Sequence, residues 1–472
     1  MLGLLGTLNL GARSLQTEQE GVEVAGNNLA NVNNPAYARQ RLEIQGSTPL
    51  STPIGQEGTG ADAVAITQLR DTFLDQQIRS EASVTGSLQS QQTALQYVET
   101  GLGEELQGNT SATDATDTVG TTGGLADDLT GLFNSFQDLS SSPSSITNRQ
   151  AVISQAQQLT SQFNQVAQGL AAINTQLNQS VQNDVGSANQ LLSDIAGLNK
   201  QIAAAQAGTG SANDLMDLRE QKLETLANLT GFQSSTEADG AVNISVGGQL
   251  LVSGDSVQDT LQAYDPGDGQ LQVRTATGGA SLTLTGGSIA GTIETRDGAL
   301  KSLQDGLNTL ASQLISQVNT VYHTGYDLNG NTGADFFTGT NASDIGVNPA
   351  LADDPSSLQA SGVAGNAGDN QVALALAQMA NSSQAALGNQ TFSESYDGTV
   401  TNLGNALATV NSQVDDQQAV TTMLQTQRSS VSGVSVDDEM TSLVQYQRAF
   451  QASAHLVSVV DQMLNTVVTM GQ

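Results

Sequence analysis

Two stretches of the chain, one near each end, carry the same apolar period. Leu8, Leu15, Val22 and Leu29 recur every seven residues, with Leu4, Ala25 and Val32 placed four before or three after members of that set. Val436, Leu443, Phe450, Val457 and Leu464 repeat the pattern, supported by Met440, Ala454 and Val468. A seven-residue repeat with three-four infill predicts a helix that packs along a second helix. Each seam covers about 33 residues, roughly 50 Å at 1.5 Å per residue. Gly11, Gly21 and Gly26 interrupt the first seam. Each costs about 1 kcal/mol against alanine in a helix interior, so that helix is marginal alone. The second seam follows Gly433 and holds Asp437, Asp438 and Glu439 in its first turn, where the helix dipole favours anions.

Between the seams the period changes repeatedly. Asn34-Pro35 stops the first helix, because the residue before proline avoids the α region. Short alternating runs at 41–44 and 63–66 predict a hairpin or extended arm. A helix is expected from Asp71 to about Glu105, then a Ser/Thr/Gly/Asp loop over 107–124 and a long helix over about 146–207. In that long helix Phe163, Val166, Leu170, Ile173, Leu177 and Val181 step by three and four. Residues 213–230 predict a further helix, ended by Gly231. From 232 to 292 the period drops to two, with runs at 242–246, 249–254, 271–275 and 281–286. Glycine pairs at 247–248, 278–279 and 286–287 read as hairpin turns between them. Helices are expected again over about 293–325, 371–387 and 400–430.

The fold class that results is mainly α. A long coiled-coil-like helix bundle is formed by the N- and C-terminal segments, with a small antiparallel β domain inserted in the middle. Three units are expected: 1–33 with 436–472 as a terminal coiled coil, 34–231 with 293–435 as an elongated helical domain carrying a β-hairpin arm, and 232–292 as an outer β domain. The two seams make each other the nearest partner. Burying a leucine is worth about 1.5–3 kcal/mol, while ordering backbone costs roughly 1–2 kcal/mol per residue. The balance is close enough for the ends to be disordered in the lone chain and to fold on assembly, with neighbouring subunits covering what the pair leaves open.

Composition narrows the function. The 472 residues are 38% hydrophobic but only 3% aromatic, without tryptophan, which suits thin aliphatic bundles. A net charge of −32, from 46 acidic and 14 basic residues, repels polyphosphate and makes nucleic acid an unsuitable partner. There is no cysteine, hence no disulfide or thiolate chemistry. The first twenty residues lack the basic and apolar regions of a cleaved export signal, and no run of about 18 apolar residues predicts a membrane span.

Candidate chemistry is thin. No HExxH or GxSxG occurs, and the two histidines, His323 and His455, are far apart in sequence. The adjacent pairs Asp127-Asp128, Asp353-Asp354 and Asp415-Asp416 read as solvated charge. Asp327, Asn329 and Asn331 alternate like calcium ligands, but glycine falls at 333 and Thr338 stands where a bidentate glutamate belongs, so the loop reads as an Asx turn. No catalytic residue, cofactor or metal site is expected, and no enzyme.

Four blocks carry a resemblance. NNLANVNNPAYARQR (27–41) resembles the signature Asn-Asn-(Ile/Leu)-Ala-Asn-Val-Asn-Thr-Pro-Gly-Tyr of bacterial flagellar rod, hook and hook-associated proteins, with Asn34 for threonine and Ala36 for glycine. The segment 433–468 resembles the carboxyl-terminal motif of the same family. Residues 217–254 and 322–337 are similar to the hook-associated members that join hook to filament. The motif positions are Asn27, Asn28, Asn31, Pro35 and Tyr37 at one end and Gln445 and Tyr446 at the other. The resemblance implies a structural component at the distal end of the hook, on which the filament grows. It implies export by the flagellar type III pathway to an extracellular site and assembly with copies of itself in a ring. Hook protein, a second junction protein and a cytosolic export chaperone on the carboxyl-terminal helix are the further partners it implies, without membrane insertion. Another flagellar axial protein, or a secreted adhesin-like scaffold, is the alternative.

Overall fold

The computed structural model describes residues 3–52, 55–102, 124–208 and 211–470. The loop expected over 107–124 lies, up to residue 123, outside the described residues. Helix α1 (Leu4–Ala30) leads into an arm of β1 (Gln40–Gly46), β2 (Leu50–Thr52), β3 (Gly55–Glu57) and β4 (Ala61–Gln68). Helices α2 (Thr72–Leu102), α3 (Leu125–Ser141), α4 (Ile146–Ala207) and α5 (Asn213–Leu229) follow. Next come β5 (Gln233–Thr236), β6 (Val242–Val246), β7 (Gln249–Ser253), β8 (Ser256–Val257), β9 (Leu261–Tyr264) and β10 (Gln272–Thr275). Then come α6 (Gly287–Thr295), α7 (Lys301–Tyr322), β11 (Phe337–Thr338), β12 (Gly346–Val347), α8 (Pro349–Asp353) and α9 (Gln371–Gln378). The last two helices are α10 (Phe392–Ser432) and α11 (Val436–Met470).

The spine is α4. Its start is capped by the Ser145 side chain, which accepts from the Asn148 amide. Its 62 residues span roughly 93 Å at the helical rise. The three-four row from Phe163 to Val181 is buried throughout. Toward its start, α4 shares a core with α3, α7, α9 and the first half of α10, where Phe133, Phe136, Phe336 and Phe392 gather. Toward its end, Val181, Leu192 and Ile195 join Leu226, Ile244, Val252 and Ile289 in a second core under the sheet. Strands β5-β6-β7-β8 form that antiparallel sheet, and β9 pairs with β10 beside it. Gly247 and Gly248, at φ of 54° and 79°, turn β6 into β7, a two-residue hairpin only glycine-like residues enter freely. In the arm, β1 and β4 pair antiparallel from Gln40↔Gln68 to Gly46↔Ala61, with a register shift between Glu43 and Ile44.

Some elements differ from the sequence expectations. Residues 125–141 form α3, to which no element was assigned, and Leu125, Leu129, Leu132, Phe133, Phe136 and Leu139 on it are buried. Helix α10 begins at Phe392, before the expected residue 400, because Thr391 and Glu394 close a capping box there. The helix expected over 371–387 ends at Gln378 and passes into 3₁₀ turns at 379–381 and 385–387.

The run 281–286 makes no ladder strand. Ser281 bridges Arg274 alone, and the Leu282 amide donates to the Val273 carbonyl at 2.9 Å. Helix α6 then starts at Gly287, inside the range expected to be β. Gly286-Gly287 is therefore a helix start and not a hairpin turn. Gly287 has φ +82°, and a Cβ there would lie 2.3 Å from the Thr230 amide nitrogen. The chain can leave the sheet at this point and press onto the end of α5 because no side chain intervenes. Among the described residues, no helix is long and apolar enough to cross a membrane.

Candidate functional site

Helices α1 and α11 lie side by side and antiparallel. Asn28 meets Glu439 at 3.0 Å, Gly21 meets the Tyr446 ring, Ser453 Oγ donates to Ser14 Oγ at 3.1 Å, and Gly11 meets Val457. Asn28, Gly21 and Ser14 are seven apart and descend as Glu439, Tyr446 and Ser453 ascend, so each heptad places one layer. Both glycines are the contact surface. A Cβ on Gly21 would sit 2.6 Å from the Tyr446 ring, and one on Gly11 2.7 Å from Val457 Cγ2. These two glycines are therefore contact positions and not mere interruptions of a leucine seam, because their missing side chains let the helices approach.

The apolar rows are placed unevenly. Leu8, Leu15, Val22 and Leu29 stand one position on from the contact line and are partly buried. On α11 the line of closest approach runs through Glu439, Tyr446, Ser453 and Val460. Leu443, Val457 and Leu464 flank it partly buried, while Val436 and Phe450 are 45% and 38% exposed. The supporting positions Met440, Ala454 and Val468 face away and are exposed.

Where this pair meets the body, a polar joint forms from residues distant in sequence. The Asn28 side chain is 1% exposed. Its Nδ2 donates to the Gln40 carbonyl at 2.8 Å and to Glu439 Oε2, and its Oδ1 accepts from the Tyr37 hydroxyl at 2.8 Å and the Gln40 amide at 2.9 Å. Arg39 Nε donates to Glu439 Oε1 at 2.7 Å, and the Arg39 amide donates to the Ser432 carbonyl at the end of α10. Below lies Asp217 on α5, which accepts from the Ala38 amide at 3.2 Å, Gln68 Nε2 at 3.0 Å and Arg70 at 2.9 Å. Arg70 also faces Asp75 at 3.5 Å and Glu220 at 3.6 Å. Arg79 pairs with Glu220, and Arg428 pairs with Glu224 while donating to the Pro35 carbonyl at 2.9 Å. Burial pushes the Asp75 and Asp217 carboxyls up to about 6 against the opposing pull of Arg70. Burial, with Asp214, Asp217 and Glu439 nearby, likewise raises the Tyr37 phenol.

Residues 110–337 match the family model of the flagellar hook-associated protein FlgK helical domain, and residues 425–470 that of the flagellar basal body rod FlgEFG protein C-terminal. Flagellar hook-associated protein 1 of Bacillus subtilis (strain 168) is 27% identical over 98% of this chain and 97% of its own length. That of Escherichia coli (strain K12) is 22% identical over 98% and 99%. Along nearly its whole length the chain is similar to flagellar hook-associated protein 1. A solved structure titled the flagellar hook junction protein FlgK from Burkholderia pseudomallei shares the fold, with a TM-score of 0.65 over 75% of this chain and all of that one at 17% identity.

The family signature thus builds the joint. Asn28 and Tyr37 are its buried members. Asn31 donates to the Asn27 carbonyl and side chain at 3.0 and 3.1 Å, closing the end of α1. Pro35 is exposed and offers its carbonyl to Arg428. Ala36 stands where the family signature has glycine. Its φ is not positive, and its amide donates to Asn34 Oδ1 at 3.1 Å, so the turn does not require glycine here. Tyr446 packs on Gly21, whereas Gln445 is exposed.

Sequence reading missed the charged half of the joint: Arg39, Arg70, Asp75, Asp217, Arg428 and the anchoring role of Glu439. One signal was available, since a chain with only 14 basic residues places Arg39, Arg41, Arg70 and Arg79 within its first 80. Elsewhere, Asp327 Oδ1 accepts from its own Asn329 and Asn331 amides at 2.7 and 2.8 Å, an Asx turn. Among the described residues no group of three or more His, Cys, Asp or Glu could hold a metal ion.

Proposed function

We propose that this chain is a structural subunit of the bacterial flagellum that assembles at the distal end of the hook and forms the hook–filament junction on which the filament grows. One observation carries the reading. Helix α11 is held in a fixed antiparallel pair, yet of its 35 residues only Glu439 and Val460 are buried. Val436, Met440, Val444, Leu456, Met463, Val467 and Val468 are left exposed, 39–60% each. Such a helix is half of a packing that further copies complete. In this reading the seam residues of α1 and α11 line an inner tube, the helical body surrounds it and the β domain points outward. Hook protein and a second junction protein are the neighbours along the axis. A cytosolic export chaperone covers α11 before assembly, and the subunit leaves the cell by the flagellar type III route to an extracellular, non-enzymatic role. The carboxyl-terminal match alone is common ground with rod and hook proteins. The match over 110–337 favours the junction over those axial rivals.

Deleting 436–472 in the cell tests this directly. Hooks form, filaments do not, and filament protein appears in the medium. Filaments of normal number and length in that strain would remove the junction assignment.

A further inference from the structure

We infer that Glu439 is a positioning residue that fixes the register of α11 along α1, acting through Asn28 and Arg39. The inference concerns the single chain and stands independently of the junction reading.

The layers of the pair repeat every seven residues, so a slip of one heptad, about 10.5 Å, presents a similar line. Slipped one way, Ser14 meets Val460 and Gly21 meets Ser453; slipped the other way, Thr7 meets Ser453 and Ser14 meets Tyr446. The contact line on α1 runs through Thr7, Ser14, Gly21 and Asn28, none of them a large apolar residue, so packing along that line discriminates weakly among these registers. Chain connectivity permits the slip once the first two turns of α11 unwind, because α10 ends at Ser432 and α11 begins at Val436. Those two turns are exposed or partly exposed everywhere except at Glu439, which is 4% exposed. Unwinding them therefore has one main opponent, the bonds from Glu439 to Asn28 and Arg39. Separation would strand a buried amide and break a charge-assisted bond, which is how a single buried polar residue specifies register in helix pairs. The Tyr446 ring over Gly21 reinforces the choice, since in either slip it faces a residue with a side chain.

The chain has no cysteine, so introduced thiols report cleanly. In the full-length chain, Ser14→Cys with Ser453→Cys reports the native register. Ser14→Cys with Val460→Cys, and Thr7→Cys with Ser453→Cys, report the two slips. Under mild oxidation of dilute protein, the native pair closes its intramolecular disulfide at least about tenfold faster than either slipped pair, the effect of one charge-assisted bond. With Glu439→Leu added, that preference falls toward unity, a ratio of rates that a general loss of stability would not move. Glu439→Ala supplies the same comparison where leucine disturbs the body. A native preference that survives both changes overturns the inference. So does a uniform acceleration of all three pairs with a lowered body melting temperature, which would mark Glu439 as general support.

Discussion

Asn28 shows how much one amide can hold. It is buried, and its two donors and its acceptor oxygen reach the Gln40 backbone, the Tyr37 hydroxyl and Glu439. Tyr37→Phe removes one of two donors to Oδ1, so it should cost only about 1 kcal/mol of unfolding free energy. Asn28→Leu leaves the Gln40 amide and the Tyr37 hydroxyl without their partner inside the joint, and Glu439 with Arg39 alone. Its cost should be about 2–4 kcal/mol, because stranding buried polar groups costs more than losing one bond. Urea unfolding of both variants checks the ordering, and equal effects would mean water enters the joint. The motif made Asn28 and Tyr37 conspicuous in the sequence. Their partner Glu439, 411 positions away, gave no local sign, because nothing in a helix's first turn distinguishes a dipole-complementing carboxylate from a buried one.

At the scale of elements, glycines set how closely helices cross. At Gly21 an added Cβ meets the ring of the partly exposed Tyr446, which can swing away. Gly21→Ala gains helix propensity of about 1 kcal/mol and loses contact, so the change should be small. Gly21→Leu has no such compensation. It should leave the body's melting temperature unchanged while trypsin cuts α11 faster at Arg448. Gly291 differs, since a Cβ there would lie 2.2 Å from the Ser87 carbonyl oxygen, which is backbone of α2. Gly291→Ala must move a helix, so it should lower the body's melting temperature clearly, and calorimetry of the two variants side by side tests the contrast. The long elements were legible because their periods are long: the row from Phe163 to Val181 fixes α4 whatever surrounds it. Helix α3 and the true line of contact on α1 were not. The first lies beside a polar low-complexity stretch, and the second is written in glycine and serine, which carry no hydropathy signal.

The whole molecule must hold itself together against a net charge of −32. Four arginines at the joint offset part of that charge where α1, the arm, α2, α5, α10 and α11 converge, but not enough to keep every carboxyl at its usual value. Asp75 and Asp217 titrate at about 6 in the folded chain, against an ordinary value of 3.8. Between those values the folded state binds more protons than the unfolded one, so stability from these groups rises as pH falls through 6 and levels off below 3.8. The body's melting temperature should therefore rise on acidification from about pH 7 to about pH 5. Relief of general repulsion acts in the same direction, so the decisive measurement is Asp75→Asn, in which the rise should be smaller. An identical rise in both proteins would mean that Asp75 is already ionised and compensated.

What the sequence determined alone is whatever repeats along one element: the heptads near both ends, the three-four row of α4, the period-two runs of the sheet and the turn-forming glycines within it. Those patterns depend on the geometry of a single helix or strand, so no partner is needed to read them. Tertiary structure decided which side of α1 meets α11, where the chain leaves the sheet at Gly287, and that Glu439 is an anchor. Each of these depends on how near a distant backbone or charge comes, and proximity across hundreds of residues leaves no period in the chain.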